Sequence, residues 1–232
     1  MNPDGLDIPM WVQKAWSEPF TKGDVLFRSI SVGEGEGQAW AANAWVRGAT
    51  DYAYAEGYRR AARLLADHVI QNGRDTNFLI YPIVFLYRHN VELQLKRLIP
   101  AGAFLADHNI SEADRNSLKS SHSLDKLRGI FEPILEKLGS AFGVTPDYIE
   151  AIDSYIRQIH NIDELSFSFR YMASESGAPS IDKDKLPYIN LGILAAGMER
   201  LTSFLFGLGE AFHEAIQIKC EMENEAYSAD AS

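Results

Sequence analysis

Apolar residues return every three or four positions through five long stretches of this chain, and that period is the mark of amphipathic helices. The first stretch, 37–71, is rich in alanine, free of proline, and places Trp45, Tyr52, Tyr58, Leu65 and Val69 at helical spacing; Asn72-Gly73 stops it. The second, 76–99, sets Val84, Val91, Leu95 and Leu98 on one face, and Pro100-Ala101-Gly102 is expected to end it. The third, 123–138, has the stripe Leu124, Leu127, Ile130, Phe131, Ile134 and Leu138. The fourth opens on Thr145 as cap, Pro146 at the first position and Asp147 in the first turn, then runs through Ile149, Ile152, Ile156 and Ile159 to about 161. The fifth, 190–222, holds Leu194, Met198, Leu201, Leu205, Leu208 and Phe212. Long helices with no strand–helix alternation predict an all-α bundle of about five helices.

The remaining segments are read as connections. Residues 1–35 form an irregular N-terminal arm whose Trp11, Trp16 and Phe20 are expected to pack on the helical body, with a short extended piece over Val25–Val32 and a flexible joint at Gly33–Gly37. The bundle itself covers 36–222. Residues 101–121 read as a polar connection with a helical turn at Ser111–Asp114. Phe167, Phe169 and Tyr171 alternate with polar residues, which suggests a short extended segment, and Ser174–Asp184 reads as loop. The acidic tail, 223–232, is expected to be disordered.

The net charge of −10 disfavours loose, field-driven binding to nucleic acid, so any such contact needs a local basic patch. The lone Cys220 excludes an internal disulfide and a thiolate metal site, and it suits a reducing cytoplasm. The longest apolar run, Phe78–Tyr87, is interrupted by Pro82 and falls short of a membrane span. No phosphate loop, His-Glu-x-x-His or nucleophile elbow is present, and neither a metal nor a cofactor is implied.

Three polar clusters stand out on the expected helices. Arg88, His89, Glu92 and Lys96 share one sector of the second helix, with Arg88, Glu92 and Lys96 as an i, i+4, i+8 ladder. The ladder reads either as intrahelical ion pairs or as a polar pocket inside the bundle. Asp153, Arg157 and His160 share a face of the fourth helix, either as a solvated face or, turned toward Arg88 and His89, as a grip for a phosphate. His122 precedes the third helix, where it either caps free N–H groups or sits in a pocket with an anion.

Together these residues resemble the HEPN-like helical domains of prokaryotes over about 76–172. The likeness rests on Tyr87-Arg88-His89-Asn90-Val91-Glu92-Leu93-Gln94-Leu95-Lys96, on His122-Ser123-Leu124-Asp125-Lys126-Leu127, and on Phe169-Arg170-Tyr171, in that order. The resemblance implies a helical bundle that dimerises and serves in prokaryotic defence or toxin-type systems, with a partner such as an antitoxin. Active members of that family are metal-independent ribonucleases with an arginine, a polar residue and then a histidine. Arg115-Asn116 leading to His122, with six residues between Arg115 and His122, approaches that pattern, whereas Arg157-x-x-His160 is too short. The resemblance makes Arg115 and His122 the expected catalytic pair. Arg88, His89, Glu92, Lys96, Arg157, His160, Arg170 and Tyr171 are then binding residues for RNA or a nucleotide. The alternative is a non-catalytic module in which the same residues bind a nucleotide or protein, or form a structural network.

Overall fold

The computed structural model describes residues 50–173, 177–182, 186 and 188–230, all within the compact unit Ala49–Ser232. The expected N-terminal arm and positions 37–49 of the first expected helix lie outside the described residues. Among the described residues there are six α-helices, joined by turns and one 3₁₀ turn, so the all-α class is correct. They are α1 (Asp51–Asn72), α2 (Thr76–Leu105), α3 (Glu112–Ser120), α4 (Leu124–Leu138), α5 (Pro146–Ile162) and α6 (Leu191–Asp230), with the 3₁₀ turn at Gly139–Phe142.

The second helix is the axis of the fold and packs against α1, α4 and α6. Ile83, Val84, Tyr87, Val91, Leu95, Leu98 and Ile99 are all buried, as are Arg88, Asn90, Glu92 and Gln94. Polar side chains on so buried a stretch need internal partners, which Arg88, Asn90 and Glu92 find. Around it, α4 contributes Leu124, Leu127, Phe131, Ile134 and Leu135, and α6 contributes Leu191, Met198, Leu201, Leu205, Leu208 and Phe212.

The face of α1 that enters the core is largely alanine, with Val69 and the part-buried Leu65 the expected large residues that join it. Ala55, Ala62 and Ala66 are buried with Val69, while Tyr52 and Leu64 stay exposed. Small residues let the two backbones approach, and the Asn90 amide of α2 donates to the Ala55 carbonyl at 2.7 Å.

Three other expectations change. First, α2 does not stop at Pro100 but runs to Leu105. Proline removes one helical hydrogen bond, but the residues beyond it are core residues. Gly102 lies so close to α4 and α6 that an added Cβ would sit 2.7 Å from Ile134 Cγ2 and 2.9 Å from Phe212 Cε2. The real end of α2 is capped by cations: Lys137 donates to the Ala106 carbonyl, and Lys219 to the Phe104 carbonyl at 3.0 Å. Second, 112–120 is a full helix, capped by Ser111, whose Oγ accepts from the Asp114 N–H at 3.1 Å. Third, α6 continues through 223–230, the stretch expected to be disordered, where glutamate and alanine favour helix.

Leu191–Tyr227 is long and apolar enough to cross a membrane by length and composition, although polar residues interrupt its apolar ones. Leu191, Met198, Leu201, Leu205, Leu208 and Phe212 of this stretch belong to the bundle core, while Ile193 is exposed.

Candidate functional site

Glu92 is the centre of the polar network in the bundle. It is 1% exposed and Arg88, one turn earlier on α2, is 0% exposed. Its Oε2 accepts from Arg88 Nη1 at 3.1 Å, and its Oε1 accepts from Lys96 Nζ at 3.0 Å. The same Oε1 lies 2.9 Å from His122 Nδ1. His89 Nδ1 is 4.0 Å from Oε2. One buried carboxylate thus gathers two cations and two imidazoles: the intrahelical ion pairs of Arg88 and Lys96 with Glu92 are formed, and they lie in a polar pocket inside the bundle.

Arg88 extends the network to two loops. Its guanidinium donates to the carbonyls of His122 at 2.5 Å and Asp163 at 3.1 Å, and lies 3.4 Å from Asp163 Oδ2. Asp163 ends α5, and its Oδ1 accepts from the Phe167 and Ser168 N–H groups at 2.7 and 2.9 Å. This side chain builds the turn that follows. Phe167–Tyr171 is therefore a compact turn, with the Arg170 and Tyr171 N–H groups returning to the Phe167 carbonyl at 3.0 and 3.1 Å, and not the extended segment that alternation suggested. Local side chain-to-backbone bonds outcompete a strand that has no neighbour to pair with.

The electrostatics follow from burial and its compensation. Burial pushes the Glu92 carboxyl up, but hydrogen bonds and charge from Lys96 and His122 outweigh it and hold it below the usual carboxylate range. Burial lowers the Arg88 guanidinium despite the pull of Asp163 and Glu92, and Arg170 adds like-charge repulsion. Burial also pushes the His89 imidazole down, against the attraction of Glu92. His89 is fixed by rings on two sides, stacked on Phe85 at 5.7 Å and edge-on to Tyr58 at 4.5 Å.

His122 differs from its neighbours in being open, at 57% side-chain exposure. A carboxylate accepts but cannot donate, so Nδ1 carries the proton and Nε2 presents a lone pair outward when the ring is neutral. His122 is not the cap of α4. Ser123 is, with its Oγ accepting from the Lys126 N–H at 3.4 Å. Capping by Ser123 frees the imidazole to turn toward Glu92.

The other expected residues fall into two groups. Arg170 and Tyr171 join this region: the Arg170 guanidinium lies 5.5 Å from the centroids of both Phe85 and Tyr171. Arg115, Arg157 and His160 do not join it through any hydrogen bond or ion pair. Arg115 donates back to the Ile110 carbonyl at 3.0 Å and to Asn109 at 3.3 Å, at the start of α3, whereas His122 follows the end of that helix. Arg157 pairs with Asp153 at 2.7 Å, and Asp153 turns to Arg128 of α4, also at 2.7 Å. That face of α5 is therefore occupied by α4 and not by Arg88 and His89. His160 Nδ1 is buried without a hydrogen-bond partner.

Sequence reasoning missed Asp163, Phe85 and Tyr58. The signal for Asp163 was an acidic residue just after the last apolar position of the fourth stretch; the two aromatics had no signal beyond helical spacing. No protein-family profile, no curated protein and no solved structure significantly matches this chain.

Proposed function

We propose that the chain is a metal-independent RNA endonuclease, with His122 as general base and Glu92 as the group that orients it. The observation that carries this reading is the 2.9 Å contact between the open imidazole and a carboxylate that is wholly buried. A buried carboxylate fixes the tautomer and stabilises the imidazolium that forms when Nε2 takes a proton. In the reaction, Nε2 removes the proton of a ribose 2′-hydroxyl. The 2′-oxygen bonds to the adjacent phosphorus, the bond from phosphorus to the 5′-oxygen breaks, and that oxygen takes a proton from solvent. The products are a 2′,3′-cyclic phosphate and a 5′-hydroxyl. Lys96, beside the same carboxylate oxygen, and Arg170 supply positive charge for the phosphoryl oxygens. The resemblance to HEPN-like domains adds the setting: a cytoplasmic homodimer in a prokaryotic defence or toxin-type system, held in check by a protein partner.

A second reading has its own support. Arg88 bonds to the backbone on both sides of the pocket, at His122 and at Asp163, so the network also acts as a clamp that holds two loops on α2. On that reading the chain is a non-catalytic module for a nucleotide or protein.

The deciding measurement is cleavage of RNA by the purified protein in EDTA, beside His122→Ala and Arg115→Ala. Cleavage that leaves 2′,3′-cyclic ends, vanishes in His122→Ala and persists in Arg115→Ala is the expected result. Loss in both variants would return Arg115 to the site. No cleavage of any RNA by the folded parent protein would favour the clamp.

A further inference from the structure

Beside Arg170 lies a cavity of about 560 Å³, a size that suits a small-molecule or nucleotide ligand. Its walls include Tyr81 of α2 and Phe169, Arg170, Tyr171 and Met172 of the turn after α5. Here Tyr81 is 46% exposed and Tyr171 53% exposed. Tyr171 packs against Phe167 with 4.7 Å between ring centroids, and Tyr81 lies 6.4 Å from Phe169. The two tyrosines are thus held by neighbouring rings, yet each keeps surface toward solvent.

A chain of side-chain contacts links the cavity wall to the His122 site. Arg170 lines the cavity and also lies over the Phe85 ring. Phe85 stacks on His89, and His89 stands beside Glu92, the partner of His122. Aromatic faces next to a guanidinium, running on to two imidazoles and a lysine, match the chemistry of one ligand class. Bases stack on rings, and the phosphates that link them seek the cations. Tyr81 and Tyr171 are part-exposed rings, and stacking on them needs a base free of its paired partner.

We propose that this cavity seats an unpaired nucleobase of single-stranded RNA, with Tyr171 and Tyr81 as its stacking partners and Arg170 on the phosphate leading to His122. The identity of the ligand as RNA rests on the acid–base reading of His122. The seat for a base rests on the cavity itself.

The test is binding, measured by fluorescence anisotropy with short labelled single-stranded RNAs of mixed sequence and with the same RNAs annealed to their complements. Every protein in the series also carries His122→Ala, so that the RNA stays intact. Expected are tighter binding to the single strands than to the duplexes, a loss on the order of tenfold in Tyr171→Ala and in Tyr81→Ala, and near-parental affinity in Tyr171→Phe, which keeps the ring. Circular dichroism of each variant checks that the helices persist. Equal affinity for duplex and single strand, unchanged affinity in both alanine variants, or no RNA binding by the folded parent would each overturn the proposal. Failure of the catalytic reading has a different signature: the His122-intact protein binds single strands through Tyr171 but does not cut them.

Discussion

Glu92 accepts hydrogen bonds from three basic side chains, so its removal strands charge in the core. In Glu92→Ala the Arg88 guanidinium would keep only Asp163, at 3.4 Å, as an ionic partner, while remaining 0% exposed. Breaking a buried pair in this way costs about 3–5 kcal/mol. We expect a loss near the lower end, because the Asp163 and His122 carbonyls still accept from Arg88; urea denaturation measures it. Replacing both charges with apolar residues of similar size, Arg88→Met with Glu92→Leu, should cost less than Glu92→Ala alone, since the charge it strands in the core, Asp163, keeps the Phe167 and Ser168 N–H groups on its Oδ1. A double variant that is the less stable of the two would show that the bonds from Arg88 to the loop carbonyls, and not charge balance, dominate this network.

Among the elements, α2 explains most of the departures from the helical pattern. Two glycines, Gly57 of α1 and Gly102 of α2, provide a contrast that separates helix propensity from packing. Gly57, in the interior of α1, has nothing within 4 Å of an added Cβ. Gly57→Ala should therefore stabilise by about 0.5–1 kcal/mol through reduced freedom of the unfolded chain. Gly102→Ala would gain a similar propensity term, but its methyl would meet Ile134 Cγ2 at 2.7 Å and Phe212 Cε2 at 2.9 Å. Overpacking of that kind costs about 1–3 kcal/mol, so the net expectation is a loss of about 1 kcal/mol. Thermal unfolding of both variants in one buffer checks the opposite signs. The same tight crossing is why α2 passes through Pro100. Ending the helix there would withdraw Gly102 and Ala103 from the contact that joins α2 to α4 and α6.

For the whole molecule, the ion pairs predict acid lability. Glu56 of α1 is held down to about 2 from 4.5, chiefly by its hydrogen bond to Arg59, with burial opposing and Arg60 adding to the fall. Arg59 also reaches Glu199 of α6 at 2.6 Å, and Glu199 accepts from the Tyr87 hydroxyl of α2 at 2.9 Å. This cluster joins three helices. A carboxyl depressed in the folded state stabilises fully above its unfolded value and loses that contribution as pH falls toward the folded one. Glu56 thus acts between 4.5 and about 2, and Glu92 shifts in the same direction. His89 acts at higher pH. Its folded value lies below 6.5, so the unfolded chain takes up a proton first and stability declines as pH drops through that region. The urea midpoint should therefore begin to fall below about pH 6.5 and fall most steeply between about 4.5 and 2. A midpoint that stays flat down to pH 4 would contradict the burial assigned to His89.

The sequence by itself determined the all-α class and most helix cores. It did so because helical period, start signals such as Thr145-Pro146, and stop signals such as Asn72-Gly73 act over a few neighbouring residues. It also marked Arg88, Glu92 and Lys96 as one sector, since spacing along a single helix fixes a shared face. What it left open was partnership. Whether Glu92 faced solvent or the core, whether His122 capped a helix or bonded to a carboxylate 30 residues earlier, and whether Asp153 turned to Arg88 or to Arg128 are all decided by how helices cross. The same holds for the alanine face of α1 and the passage of α2 through Pro100. In each case, contacts between distant segments outweigh local preferences worth about 1 kcal/mol or less per residue, and only the tertiary structure specifies those contacts.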